Sequence, residues 1–160
     1  MIDIDQIRMD GGTQSRAALA QNVIDDYAAA MATDSFPPVV VFHDGQNYWL
    51  ADGFHRVEAA KSIGLAEIDA DIRQGTLDHA VEFSVSANAK HGLRRTNDDK
   101  RRAVQMLLSI PKWQRKTDRE IARQCEVTHP FVAKIKALSG NNYQMQREVT
   151  RSGTTYLQDT

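Results

Sequence analysis

The residues best suited to chemistry lie in one short run, Asp52-Gly53-Phe54-His55-Arg56-Val57-Glu58-Ala59-Ala60. The apolar stretch Trp49-Leu50-Ala51 before it reads as a strand, and a helix-forming stretch follows at once. A strand that enters a helix through a glycine turn leaves the first-turn N–H groups unpaired, with the positive end of the helix dipole behind them. That arrangement is an anion site. His55 and Arg56 would add an imidazole and a guanidinium, and phosphate is the guest they suit. Structural roles compete: Arg56 as an ion pair with Asp52 or Glu58, His55 as a hydrogen-bonded residue at a helix start, Phe54 as core or as a platform for a base. Asp52, His55 and Glu58 do not form a convincing metal set, because only the last two share a helix face.

A second constellation runs from Thr117 to Leu138. Thr117 followed three residues later by Glu120 is a capping box opening a short helix to Cys125. Glu126-Val127 forms a tight turn, and Thr128 opens another helix through Phe131, Val132 and Ile135. Two short helices so spaced predict a helix-turn-helix. Thr128, His129, Pro130 and Phe131 would then face base edges, while Thr117, Arg119, Arg123, Lys134 and Lys136 would approach the phosphates. Pro130 is tolerated in a first helical turn. Glu126 stands where glycine is usual, and a non-glycine residue in the left-handed region costs on the order of 1 kcal/mol. The competing reading is a plain three-helix bundle with a solvated basic face.

The elements that carry these residues can be placed from pattern alone. Ile2, Ile4 and Ile7 suggest one short strand before Asp10-Gly11-Gly12. A helix is expected over about 20–32, with Asn22 as its cap. Val39-Val40-Val41-Phe42 and Tyr48-Trp49-Leu50 form a hairpin around Asp44-Gly45, which delivers the chain to Gly53. Gly64 closes the following helix, Ile68 to Ile72 alternates as a strand, and Thr76 caps a helix to about Asn88. A further helix is expected from Asn97 as cap to Pro111. Residues 149–157 are read as a small hairpin beyond the linker Ser139-Gly140-Asn141-Asn142. Strands and helices without a regular βαβ repeat predict an α+β fold: a small mixed-sheet domain over 1–92, an all-α domain over 93–138 and a polar tail over 139–160.

Charge separates the two parts. Residues 1–89 hold 5 Lys and Arg against 14 Asp and Glu, whereas residues 90–136 hold 13 against 5, although the net charge of the 160 residues is only −1. The basic part therefore suits double-stranded DNA, and the anion held by the acidic part should be a small ligand. The single cysteine, Cys125, excludes a disulfide framework. The absence of a long apolar run and of a signal-like N-terminus points to a cytoplasmic protein without a membrane partner.

With both constellations in view, residues 2–138 resemble the ParB/sulfiredoxin superfamily, a ParB-like N-terminal domain followed by its helix-turn-helix. The run from Gly53 to Arg56 falls where ParB proteins hold a nucleoside triphosphate. Gln14-Ser15-Arg16 matches the Gln-x-Arg that follows their first strand, and Asn88 with Arg94 and Arg95 resembles the segment before their linker helix. The resemblance implies a homodimeric DNA-binding protein of partition or transcriptional control, modulated by a nucleotide such as CTP or ATP, with or without Mg²⁺. It implies that Gln14, Arg16, Gly53, Phe54, His55, Arg56, Asn88, Arg94 and Arg95 bind that nucleotide. Two departures stand out: His55 replaces the first arginine of a pair, and Phe54 replaces the reactive cysteine of sulfiredoxins, which excludes sulfinic-acid repair. A nuclease or nucleotidase and a nucleotide-independent regulator are the alternative readings.

Overall fold

The computed structural model describes residues 1–87, 89 and 94–139, together with the backbone of two strands at 147–151 and 154–158. Its first element is not the single strand expected. Ile2–Asp3 (β1) and Ile7–Arg8 (β2) are separated by a 3-10 turn over Ile4–Gln6, where the Asp3 carboxylate accepts the N–H of Asp5 at 2.9 Å. The turn has a simple cause. Ile2, Ile4 and Ile7 are all buried, and a spacing of two and then three cannot be met by one straight strand.

Gln21–Ala30 (α1) follows, and Ala20 rather than Asn22 is its N-cap, with no side chain capping it. Val39–His43 (β3) and Tyr48–Asp52 (β4) form the expected antiparallel hairpin, and Phe54–Ser62 (α2) leaves it through Gly53. The strand expected at Ile68–Ile72 is two. Glu67–Ile68 (β5) pairs with β1, while Ala70–Gln74 (β6) pairs in parallel with β3. The larger sheet has the order β2-β4-β3-β6.

Period-two alternation sends the two sides of this sheet to different layers. Val39, Val41 and Leu50 pack with Ile2, Ile4, Ile7 and with Phe54, Val57 and Ala60 of α2. Val40, Phe42, Trp49 and Ala51 pack on Ala80, Leu77 and Phe83 of Leu77–Ala87 (α3). The opposite side of α3 contributes Val81 and Val85 to a second core. That core is completed by Asn97–Leu108 (α4), Asp118–Cys125 (α6) and His129–Leu138 (α7), with Trp113 of Pro111–Gln114 (α5) against it. One helix thus belongs to both packings.

Two helix starts in the second part differ from expectation. Thr96, not Asn97, caps α4 in a reciprocal box with Asp99, and Pro111 opens α5 as its first residue instead of simply ending α4. Near the C-terminus Arg147–Arg151 (β7) and Thr154–Gln158 (β8) pair antiparallel, Val149 opposite Tyr156. Gly140, Asn141 and Asn142 of the expected linker lie outside the described residues. Among the described residues no helix is long and apolar enough to cross a membrane.

Candidate anion site and nucleic-acid interface

The β4–α2 junction is built as the sequence predicts. Gly53 takes φ 103° and ψ 25° as the N-cap of α2, a conformation open to glycine. A Cβ there would also stand 2.5 Å from Cγ1 of Val39 and 3.2 Å from Nη2 of Arg56, so the strand passes too close for any side chain. Phe54 is buried in the core behind the turn. Arg56 is turned back on the protein: Nη2 meets Asp52 Oδ2 at 3.0 Å, and Nη1 donates to the carbonyls of Pro38, at 3.0 Å, and of Pro37. It clamps the Pro37-Pro38 segment to the turn.

His55 does not supply charge. Its Nε2 accepts the backbone N–H of Ala20 at 3.0 Å, which requires an unprotonated nitrogen there. Burial, and after it the charge of Arg16, push the imidazole below its ordinary value. The bond ties α2 to the loop that carries Gln14 and Arg16. In that loop the Thr13 hydroxyl donates to the Leu50 carbonyl, and Gln14 Oε1 accepts the N–H of Arg16 at 3.0 Å. Gln14 Nε2 is buried without a hydrogen-bond partner among the described residues.

The loop is held from the helical side by residues that the sequence reading missed. Asp99, buried at the start of α4, accepts the N–H of Ala17 at 2.8 Å and of Thr96 at 2.9 Å, and it pairs with Arg16 at 3.5 Å. Burial alone would raise the Asp99 carboxyl; the bonds from Thr96 and Ala17 and the charge of Arg16 outweigh it and hold it below the ordinary carboxylate value. Arg102 Nε donates to the Gln14 carbonyl at 2.6 Å. The signal was present as Thr96-x-x-Asp99, a capping box one residue ahead of the expected cap. Loop, Gly53 turn and α4 therefore form one polar network.

Arg95 lies elsewhere. Its Nη1 donates to the carbonyls of Val85, at 3.3 Å, and Cys125, at 2.9 Å, and its Nη2 donates to that of Glu126 at 3.0 Å. It ties α3 to the end of α6 instead of reaching the Gly53 turn. Arg94 is exposed, and Asn88 lies outside the described residues.

The α6–α7 pair has the caps and turn expected. Thr117 and Glu120 close a reciprocal capping box, and Glu126 is left-handed at φ 53°. Thr128 is the N-cap of α7 but makes no side-chain cap bond, so its hydroxyl and the first N–H groups of α7 stay available. Arg119, Ala122, Arg123, Val127, Thr128, His129 and Pro130 line one shallow cleft between the two helices. Arg119, Arg123, Thr128, His129, Pro130 and Lys134 are exposed. Three expected contacts are engaged within the protein: the Thr117 hydroxyl is shared between the Glu120 N–H, at 3.2 Å, and the Glu120 carboxylate, at 3.0 Å, Phe131 packs half-buried against the helical core, and Lys136 Nζ bonds Asp118 Oδ1 at 2.6 Å. Among the described residues no cluster of three His, Cys, Asp or Glu is placed to hold a metal ion.

The sequence matches the ParB N-terminal domain family over residues 1–89. The chain belongs to that family. It is 32% identical over 111 residues to transcriptional regulator NovG of Streptomyces niveus, covering 69% of this chain and 33% of NovG. It is also 32% identical over 89 residues to a Streptomyces griseus protein described as a streptomycin biosynthesis operon possible regulatory protein, covering 55% of this chain and 25% of that one. The chain thus spans a third or less of the length of these relatives. Among solved structures, a C-terminally truncated chromosome-partitioning protein ParB of Caulobacter crescentus complexed to the centromeric parS site aligns with TM-score 0.55 at 18% identity, covering 86% of this chain and 70% of that one. At that identity the likeness is one of fold, and the α+β ParB-like architecture is established by it.

Proposed function

We propose that this ParB-family chain is a DNA-binding regulator whose grip on DNA is modulated by a nucleoside triphosphate, CTP or ATP with or without Mg²⁺, at the Gly53 turn. The observation that carries the nucleotide half is Gln14 Nε2, a donor buried without a partner in the loop that also presents Arg16. An orphaned buried donor costs about 1–3 kcal/mol, and a ligand oxygen that accepts from it would recover that cost. Arg16 and the N–H groups at Gly53 to Arg56 would hold phosphate oxygens beside it. Arg56 itself serves this reading indirectly, by fixing the turn through Asp52 and the Pro37-Pro38 carbonyls.

Support for the DNA half comes from the α6–α7 pair, read as a helix-turn-helix. Its cleft joins an uncapped helix N-terminus to Arg119 and Arg123, with Lys134 exposed further along α7. NovG is named a transcriptional regulator, and the Caulobacter protein was crystallised on its parS site. Titration calorimetry with CTP, ATP and GTP, each with and without Mg²⁺, tests the nucleotide half. Gln14→Glu keeps the Oε1 acceptor for Arg16 but replaces the donor by a negative oxygen. It should fold normally and lose nucleotide binding by at least about tenfold. Absence of heat with all three nucleotides, or unchanged binding in Gln14→Glu, would refute that half.

A further inference from the structure

The larger sheet ends at β6, whose outer edge carries no strand among the described residues. The phase of its hydrogen bonds is fixed at both ends: Val39 donates its N–H to the Asp69 carbonyl at 2.9 Å, and Gly75 donates to the His43 carbonyl at 3.1 Å. Residues facing one neighbour alternate along a parallel ladder. The odd-numbered residues of β6 therefore face β3, and the N–H and C=O groups of Ala70, Ile72 and Gln74 face outward. Ile72 stands at the centre of the strand and is 44% exposed. On either side of it are Asp71 and Arg73, partly exposed and bonded to each other at 2.8 Å. An edge of this kind is a template for another strand.

We infer that this edge pairs with the same edge of a second copy of the chain, antiparallel about a two-fold axis through Ile72. In that register Ile72 of each copy faces the other and exchanges both of its backbone bonds, and Ala70 faces Gln74. About six inter-chain backbone bonds form from groups that already point outward. Asp71 faces Arg73 of the second copy, twice, at the closely spaced positions where side chains interact most strongly. Other registers fail on charge: centring on Asp71 or Arg73 uses the same outward groups but puts Asp71 against Asp71 or Arg73 against Arg73 at the axis, and centring on Ala70 puts Asp71 against Asp69. The interface is isologous, as a closed dimer requires.

Sedimentation and oxidative cross-linking of the full chain test the register. The wild type should show a concentration-dependent dimer. Ile72→Cys places two sulfurs across the axis at a Cα separation of about 5.5 Å, within disulfide range. With oxidised glutathione as the oxidant it should cross-link at least about tenfold faster than Gln74→Cys, whose two copies lie about 14 Å apart in this register. Cys125 does not compete, being fully buried with its thiol pushed up to about 12 by burial. Asp71→Arg should dissociate the dimer, and adding Arg73→Asp should restore it. A monomer at every concentration, equal cross-linking at positions 72 and 74, or a dimer indifferent to Asp71→Arg would overturn the inference; circular dichroism confirms that each variant is folded.

Discussion

A histidine beside the Gly53 turn would ordinarily count as a second cation, yet His55 accepts a hydrogen bond from Ala20, and burial, then the charge of Arg16, push its imidazole below the ordinary value. The sign of its effect on stability follows. Its folded value lies below the unfolded one, so the unfolded chain takes up protons first and stability falls as pH drops from about 7 through 5. Thermal melts should show that decline. His55→Gln, which offers Oε1 where Nε2 stood, should flatten it and keep most of the midpoint at pH 7. Asp99 acts in a lower window: its depressed carboxyl contributes stability above the ordinary carboxylate range and loses it as pH falls below about 4. Asp99→Ala, which leaves Arg16 buried and strips two N–H groups of their acceptor, should cost about 3 kcal/mol in denaturant unfolding. The roles at 53–56 were only partly legible in the sequence. The glycine turn and an Arg56 pair with Asp52 follow from local spacing, but the Ala20 N–H and the Pro37-Pro38 carbonyls reach the site through tertiary contacts that no local pattern encodes.

Elements were read best where a cap and a periodic face agreed. The capping box of Thr117 with Glu120 and the turn at Glu126 are legible because both signals are local. The pattern of Ile2, Ile4 and Ile7 suggests one strand because the 3-10 turn between β1 and β2 answers to burial, not to propensity. The split of 67–74 into two strands with different partners was likewise invisible in a single alternating run. At this scale the left-handed Glu126 is a testable strain: Glu126→Gly should stabilise the chain by about 0.5–1 kcal/mol, read as a rise in the melting midpoint. Arg119 and Arg123 lie exposed on α6 at the rim of the cleft beside the start of α7. Alanine at either should lower DNA affinity across sequences and reduce the slope of log affinity against log salt by about one unit, measured by fluorescence anisotropy.

For the molecule as a whole the charge split was legible from counting, but the mechanical link between its halves was not. α3 belongs to the matched family region, packs one side on the sheet, and gives Val81 and Val85 to the core of α4, α6 and α7. Glu82 reinforces the link: its carboxylate takes the Trp113 indole N–H at 2.9 Å, and its carbonyl takes Gln124 Nε2 at 2.8 Å. The second connection is the network of Arg16, Asp99 and Arg102 beside the anion turn. Together they would give a nucleotide bound as proposed at the Gly53 turn a physical route to α4 and to the helices proposed to contact DNA. The direct test is the affinity of the full chain for duplex DNA, by anisotropy at fixed salt, with and without saturating CTP or ATP. The account predicts a change of at least about fivefold on adding nucleotide, and no change in Gln14→Glu. Identical DNA affinity with and without a nucleotide that calorimetry shows to be bound would contradict it.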